Sequence, residues 1–278
     1  MEADQDDVSQ PEGNGILSVP VVLLAGGLGT RLREETDVRP KPMVEIGGRP
    51  ILWHIMKIYA AAGFNEFVVC LGYKGEVIKD FFYELHHQAG SITVQTRTGA
   101  VERHGDRPVE DWTVHLLETG PETMTGGRVR RAAQFLGGRR FMLTYGDGVG
   151  NIDLRGLLSF HEAHGKKATI TAVRPPARFG GLTLEGDDVL NFMEKPQIGE
   201  GWINGGFMVL EPEVAGYIDG DPTILERDPL ERLADERQLT AFRHDKFWQP
   251  MDTVRDVTYL RDLWDRKQAP WKVWEDEI

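Results

Sequence analysis

The chain has 278 residues, with 32 basic against 44 acidic side chains and a formal charge of −12 at pH 7. That surplus of acid argues against the broad Lys/Arg surfaces that neutralise nucleic acid or anionic membrane, so any phosphate ligand is expected to be small and locally held. A single cysteine, Cys70, leaves no intrachain disulfide and no Cys-based metal cluster; no run approaches the ~18 apolar residues of a membrane span, and a reducing, soluble compartment, the cytoplasm, is the expectation.

Residues 1–18 carry five acids (Glu2, Asp4, Asp6, Asp7, Glu12) and few apolar side chains, which predicts a disordered acidic tail before one domain over 19–278. Val21-Val22-Leu23-Leu24-Ala25 is short, continuous and β-branched at its start, as a parallel strand buried on both faces should be, and Gly26-Gly27-Leu28-Gly29-Thr30 ends it. After Pro50, apolar side chains at helical spacing predict a helix over 51–62, stopped by Gly63. A strand over 67–71 and a helix over 75–87 continue the alternation, which implies right-handed crossovers and a mostly parallel sheet. Two alternating runs, Ile92–Gln95 and Thr113–Leu117, flank a polar stretch and read as a hairpin-like insertion near 90–118. The rhythm resumes with a helix near 127–136, a strand over 141–145, a helix over 153–164 and a strand over 168–173. Short strands dominate 178–210, and helices near 228–236 and 253–266 close an α/β domain whose second half is rich in strands.

The segment from Leu24 to Leu32 places three glycines within four positions, which lets backbone N–H groups approach an anion, and Thr30 and Arg31 add side-chain donors. Neither the dinucleotide fingerprint nor the Walker loop is matched, because Leu32 stands where the first needs Gly and no Gly-Lys-Ser/Thr follows. In Pro40-Lys41-Pro42 two prolines frame a lysine, a way to fix a cation where charge develops on a transferring phosphoryl group. Asp147 closes an apolar strand between Gly146 and Gly148, and Asp252 precedes a helix start at which Thr253 and Asp256 can form a capping box. Each acid also has a plain structural reading, a hairpin turn for the first and a helix-terminal acid for the second. Together they could hold one Mg²⁺ that also takes phosphate oxygens and water. His161-Glu162-Ala163-His164 is one residue short of a zinc spacing and reads as a solvated helix end.

The glycine loop with Arg31, then Pro40-Lys41-Pro42-Met43, then Tyr145-Gly146-Asp147-Gly148, resembles the sugar-1-phosphate nucleotidyltransferases. Glu34-Glu35-Thr36, Trp53-His54-Ile55-Met56 and Trp248-Gln249-Pro250-Met251-Asp252 are similar to the glucose-1-phosphate cytidylyltransferase branch, with a likeness covering roughly residues 20–275. The resemblance implies a Rossmann-like, mixed, mostly parallel sheet, and a homo-oligomeric enzyme that makes CDP-glucose and pyrophosphate from CTP and glucose 1-phosphate for dideoxysugar and O-antigen-type pathways. It also implies that Leu24, Ala25, Gly26, Gly27, Leu28, Gly29, Thr30 and Arg31 bind CTP, that Lys41 meets the α-phosphate, and that Thr123 and Arg128 face the base side. On the same footing Gly146 offers its backbone, Asp147 and Asp252 hold Mg²⁺, and Glu194, Lys195, Asn204 and Gly205 face the sugar phosphate, with Lys195 steering its attack. The alternatives are the same chemistry with dTTP, UTP or GTP, a metal-dependent glycosyltransferase, for which Asp147-Gly148-Val149 lacks the usual Asp-x-Asp, and a nucleotide-binding subunit without turnover.

Overall fold

The computed structural model describes residues 18–27, 29, 32–87, 91–104, 110–175, 181–185, 188–193 and 201–275. In chain order they form β1 (Val21–Leu24), α1 (Arg33–Thr36), β2 (Glu45–Ile46), β3 (Arg49–Pro50), α2 (Ile51–Ala61), β4 (Glu66–Leu71) and α3 (Gly75–His87). Then come β5 (Ser91–Gln95), β6 (Ala100–His104), β7 (Thr113–Glu118), α4 (Thr125–Phe135), β8 (Phe141–Tyr145), β9 (Gly148–Gly150), α5 (Leu154–His164) and β10 (Ala168–Val173). The remainder is β11 (Gly181–Glu185), β12 (Asp188–Met193), β13 (Ile203–Leu210), α6 (Asp228–Asp235), β14 (Leu239–His244), β15 (Trp248–Pro250) and α7 (Val254–Asp265).

Seven strands make the central sheet in the order β14-β10-β13-β8-β1-β4-β7. All run parallel except β13, which is antiparallel to both β8 and β10. Because successive side chains point to opposite faces, β1 divides its residues between two cores. Val21 and Leu23 join Phe67, Val69 and Met142 beneath α2, α5 and α7, while Val22 and Leu24 join Val68, Cys70 and Leu143 beneath α4 and α6. The continuous apolar run of β1 is therefore what a strand covered on both faces requires, and each such buried Val or Leu contributes roughly 1.5–3 kcal/mol.

The two runs expected to flank one insertion part company. Ser91–Gln95 pairs with Ala100–His104 as a hairpin outside the main sheet, whereas Thr113–Glu118 pairs in parallel with β4 and forms the sheet edge. A half-buried edge strand and an insertion strand show the same alternation, which is why the pattern did not separate them. The helix end at His161 is not solvated either: His161 is 1% exposed, and its ring meets Thr169 Oγ1 at 2.8 Å and Glu211 Oε1 at 3.2 Å. His54 is buried too, between the Ile46 carbonyl at 2.8 Å from its Nε2 and the Trp271 indole N–H at 3.4 Å from its Nδ1. Burial holds its pKa down at about 4.

Candidate functional site

The carboxyl end of β1 lies between those of β4 and β8, with Leu24 opposite both Cys70 and Tyr145. Open α/β sheets bind ligands at this end, beyond the last residues of the strands. The glycine loop leaves β1 there, tied back by Tyr73 N–H donating to Gly26 O at 3.2 Å. Gly29 sits at φ +61, and a Cβ on it would approach Lys41 Cβ to 3.2 Å; the left-handed turn thus packs against the root of the lysine. Pro40 leads into a 3₁₀ turn over Lys41–Met43, closed by Met43 N–H to Pro40 O at 2.8 Å. Leu24 to Gly27, Gly29, Lys41, Thr123, Arg128, Gly146, Asp147 and Asp252 all line one cavity of about 810 Å³.

On the floor of that cavity the Lys41 ammonium donates to Asp147 Oδ2 and to Asp252 Oδ1, both at 2.7 Å. Burial alone would lower the pKa of Lys41, but the two carboxylates outweigh it and hold the group above its usual value. The acids belong to distant parts of the chain and are joined by backbone. β9 pairs antiparallel with β15, Gly148 opposite Pro250, and Met251 N–H donates to Asp147 O at 2.8 Å. The turn after β8 is therefore no hairpin, since β9 turns to β15 and not back to β8. Asp252 is aimed by the helix that follows: Thr253 caps α7 in a full capping box with Asp256, and Asp252 N–H donates to Asp256 Oδ2 at 3.1 Å. Two carboxylates already converging on one cation make a hard-oxygen donor set suited to a divalent ion.

A second chamber of about 510 Å³ shares Tyr145, Asp147 and Asp252 with the first, and is otherwise lined by Asn204, Gly205, Glu226, Trp248 and others. Gly206 at φ +78 lets β13 pass close to Tyr145, where a Cβ would fall 2.4 Å from the ring. Trp248 Nε1–H donates to Gly205 O at 2.8 Å. The Tyr145 hydroxyl donates to Glu226 Oε1, and Thr125 Oγ1–H donates to Glu226 Oε2 at 2.7 Å. Burial, reinforced by Glu226, pushes the Tyr145 phenol well up, so it stays a donor across the working pH range. The wall between the chambers thus consists of the three residues they share, with Glu226 behind Tyr145.

Arg128 lines the first cavity but spends its donors on the fold. The residue is 4% exposed, and its guanidinium donates to Leu71 O at 2.8 Å, Thr119 Oγ1 at 2.5 Å and Gly26 O at 3.1 Å. Gly26 and Gly72 make room for it, since a Cβ on either would fall 2.1 or 2.6 Å from Arg128 Nη1. Thr123 is 7% exposed on the same wall. Leu28, Thr30, Arg31, Glu194 and Lys195 lie outside the described residues. The sequence reading passed over Tyr145, Thr125, Glu226 and Trp248 as site residues; Tyr145 and Trp248 adjoin the singled-out acids, whereas nothing local marks Glu226.

Residues 20–269 match the nucleotidyl transferase family. The chain is 52% identical over 255 residues to the glucose-1-phosphate cytidylyltransferase of Salmonella typhi, an alignment spanning 91% of this chain and 99% of that protein. It is 44% identical over 254 residues to a probable glucose-1-phosphate cytidylyltransferase of Bacillus subtilis, again spanning 91% and 99%. HddC of Yersinia pseudotuberculosis has a similar fold, with a TM-score of 0.65 at 24% identity over 88% of this chain and 99% of that one. A match that runs from the first strand through the last helix, and takes in both chambers and the acids between them, shows that the chain belongs to the nucleotidyl transferase family.

Proposed function

We propose that this protein is a glucose-1-phosphate cytidylyltransferase, which transfers the cytidylyl group of CTP to α-D-glucose 1-phosphate and releases pyrophosphate. The observation that carries the reading is the meeting of two chambers at a pair of carboxylates and a lysine, in a chain 52% identical to a relative of that name. The reaction needs two phosphate-bearing substrates brought end to end, and two chambers with a shared wall supply that arrangement.

A phosphate oxygen of glucose 1-phosphate forms a bond to the α-phosphorus of CTP as the bond from that phosphorus to the bridging oxygen of pyrophosphate breaks. Phosphate oxygens are nucleophilic at neutral pH, so no general base is needed, and catalysis reduces to positioning and to neutralising charge on the leaving group. The glycine-loop backbone receives the triphosphate, and Lys41 meets the α-phosphate. Arg31 is assigned to the pyrophosphate portion and Thr123 to the base side, with Arg128 lining that wall and holding the Gly26 carbonyl of the glycine loop. Asn204 and Gly205 are assigned to the acceptor, together with Glu194 and Lys195, and Lys195 steers its phosphate. Asp147 and Asp252 would hold Mg²⁺, which when bound supplies positive charge to the reacting phosphates. Homo-oligomeric assembly belongs to the same reading; the β5–β6 hairpin leaves Ile92, Val94 and Val101 at least 40% exposed on one face, and light scattering tests it.

The deciding assay measures pyrophosphate release with glucose 1-phosphate and Mg²⁺, offering CTP, dTTP, UTP and GTP separately and identifying the product by mass. CTP preference with CDP-glucose formed is the expected result. Preference for another nucleotide would overturn the cytidylyl assignment, and product without pyrophosphate would overturn nucleotidyl transfer.

A further inference from the structure

We propose that Lys41 is an internal placeholder for the divalent cation: in the free chain its ammonium fills the seat between Asp147 and Asp252, so metal enters with the nucleotide and not before it. The proposal rests on the reading of those acids as metal ligands and adds an order of events to it. The ammonium is 2.7 Å from an oxygen of each acid, and its side chain is only 12% exposed. Both acids are fixed by backbone pairing and by the capping box, so they converge whether or not a metal is present. A divalent ion at that point would stand beside a buried ammonium of like sign, which weak solvent screening makes unfavourable.

Lysine suits exchange. It is a point charge on a flexible stem with rotatable donors, unlike the planar fork of arginine. On its other side the cavity opens toward Gly26, Gly27 and Gly29, where a triphosphate would offer a second anionic partner. A phosphate that draws the ammonium away frees the two carboxylates as it arrives. Because such coupling is reciprocal, nucleotide strengthens metal binding and metal strengthens nucleotide binding.

The test is a titration of the full chain with Mn²⁺ alone, free Mn²⁺ being read by electron paramagnetic resonance, with neither nucleotide nor sugar phosphate present. Wild type should bind weakly. Lys41→Met should bind about tenfold tighter or more, because the site gains net negative charge, and Lys41→Gln should do the same should the first variant fold poorly. Lys41→Arg, which keeps the charge, should stay close to wild type. Equal affinity in wild type and both neutral variants would overturn the placeholder while leaving the transferase reading intact. Binding by Lys41→Met that survives Asp147→Asn unchanged, or no binding by any variant, would overturn the metal seat itself. A wrong base or acceptor assignment would leave every one of these readings unmoved.

Discussion

Two cations line the same cavity and are held in opposite ways. Lys41 is paired with two carboxylates on separate loops, and Arg128 with the backbone carbonyls of Leu71 and Gly26 and the hydroxyl of Thr119. Carboxylates can change partner when a metal or phosphate arrives, whereas Arg128 adds to carbonyls already bonded within the fold, Gly26 O by Tyr73 N–H and Leu71 O by Thr119. On the proposed function the first cation is the one that meets the substrate and the second holds the loop ends together, although either would look, from sequence, like a positive charge near a nucleotide.

The sharpest break in that comparison comes from the exchangeable side. Asp147→Asn should lower turnover by about a thousandfold or more while the melting temperature stays near wild type; steady-state rates at saturating Mg²⁺, with a thermal melt alongside, check it. On the architectural side, Arg128→Met removes the guanidinium's bonds to Leu71 O, Thr119 Oγ1 and Gly26 O and should cost about 3 kcal/mol of stability, seen as a lower urea midpoint, with lost activity following lost fold. The same division applies to His54, a buried group whose partners are fixed. Its pKa of about 4 lies below the unfolded value of 6.5, so the unfolded chain binds the extra proton first as pH falls. Stability is full above pH 6.5 and should drop by about 2 kcal/mol on going from pH 7 to pH 5, and the drop should shrink in His54→Gln when urea midpoints are compared at the two pH values. The smallest effect is expected at the wall of the second chamber. Glu226→Gln removes the charge that Tyr145 and Thr125 hold in place and should raise KM for the sugar phosphate about tenfold with little change for the nucleotide; equal changes in both would place Glu226 with the architectural residues.

The segments that meet at the cavity were legible in local pattern, although the division between the two cations was not. β1, the framed lysine and the acid after β8 are short segments whose chemistry is set by neighbours in the chain, and the capping box at Thr253 is likewise spelled out over four residues. What escaped depends on distant partners. Thr113–Glu118 reads the same whether it edges a sheet or lies in an insertion, and only its ladder with β4 decides. Glu226 sits in an ordinary charged stretch just before α6 and meets Tyr145 only because its neighbour Leu225 packs into the same core cluster as Tyr145. His161 looked like surface because helix ends usually are, yet Thr169 and Glu211 close over it.

The short ladder between β9 and β15 has a consequence for how the protein is made. Lys41 lies 106 residues from Asp147 and 211 from Asp252, so the three groups belong to early, middle and late stretches of the growing polypeptide. The first acid and the lysine can emerge and pack with the parallel strands, but their third member leaves the ribosome only after most of the sheet has been synthesised. Non-local pairing of this kind closes late in folding. A nascent chain stopped before Trp248 would therefore present a recognisable half-site with no second carboxylate, and catalytic competence would report the docking of the final helix.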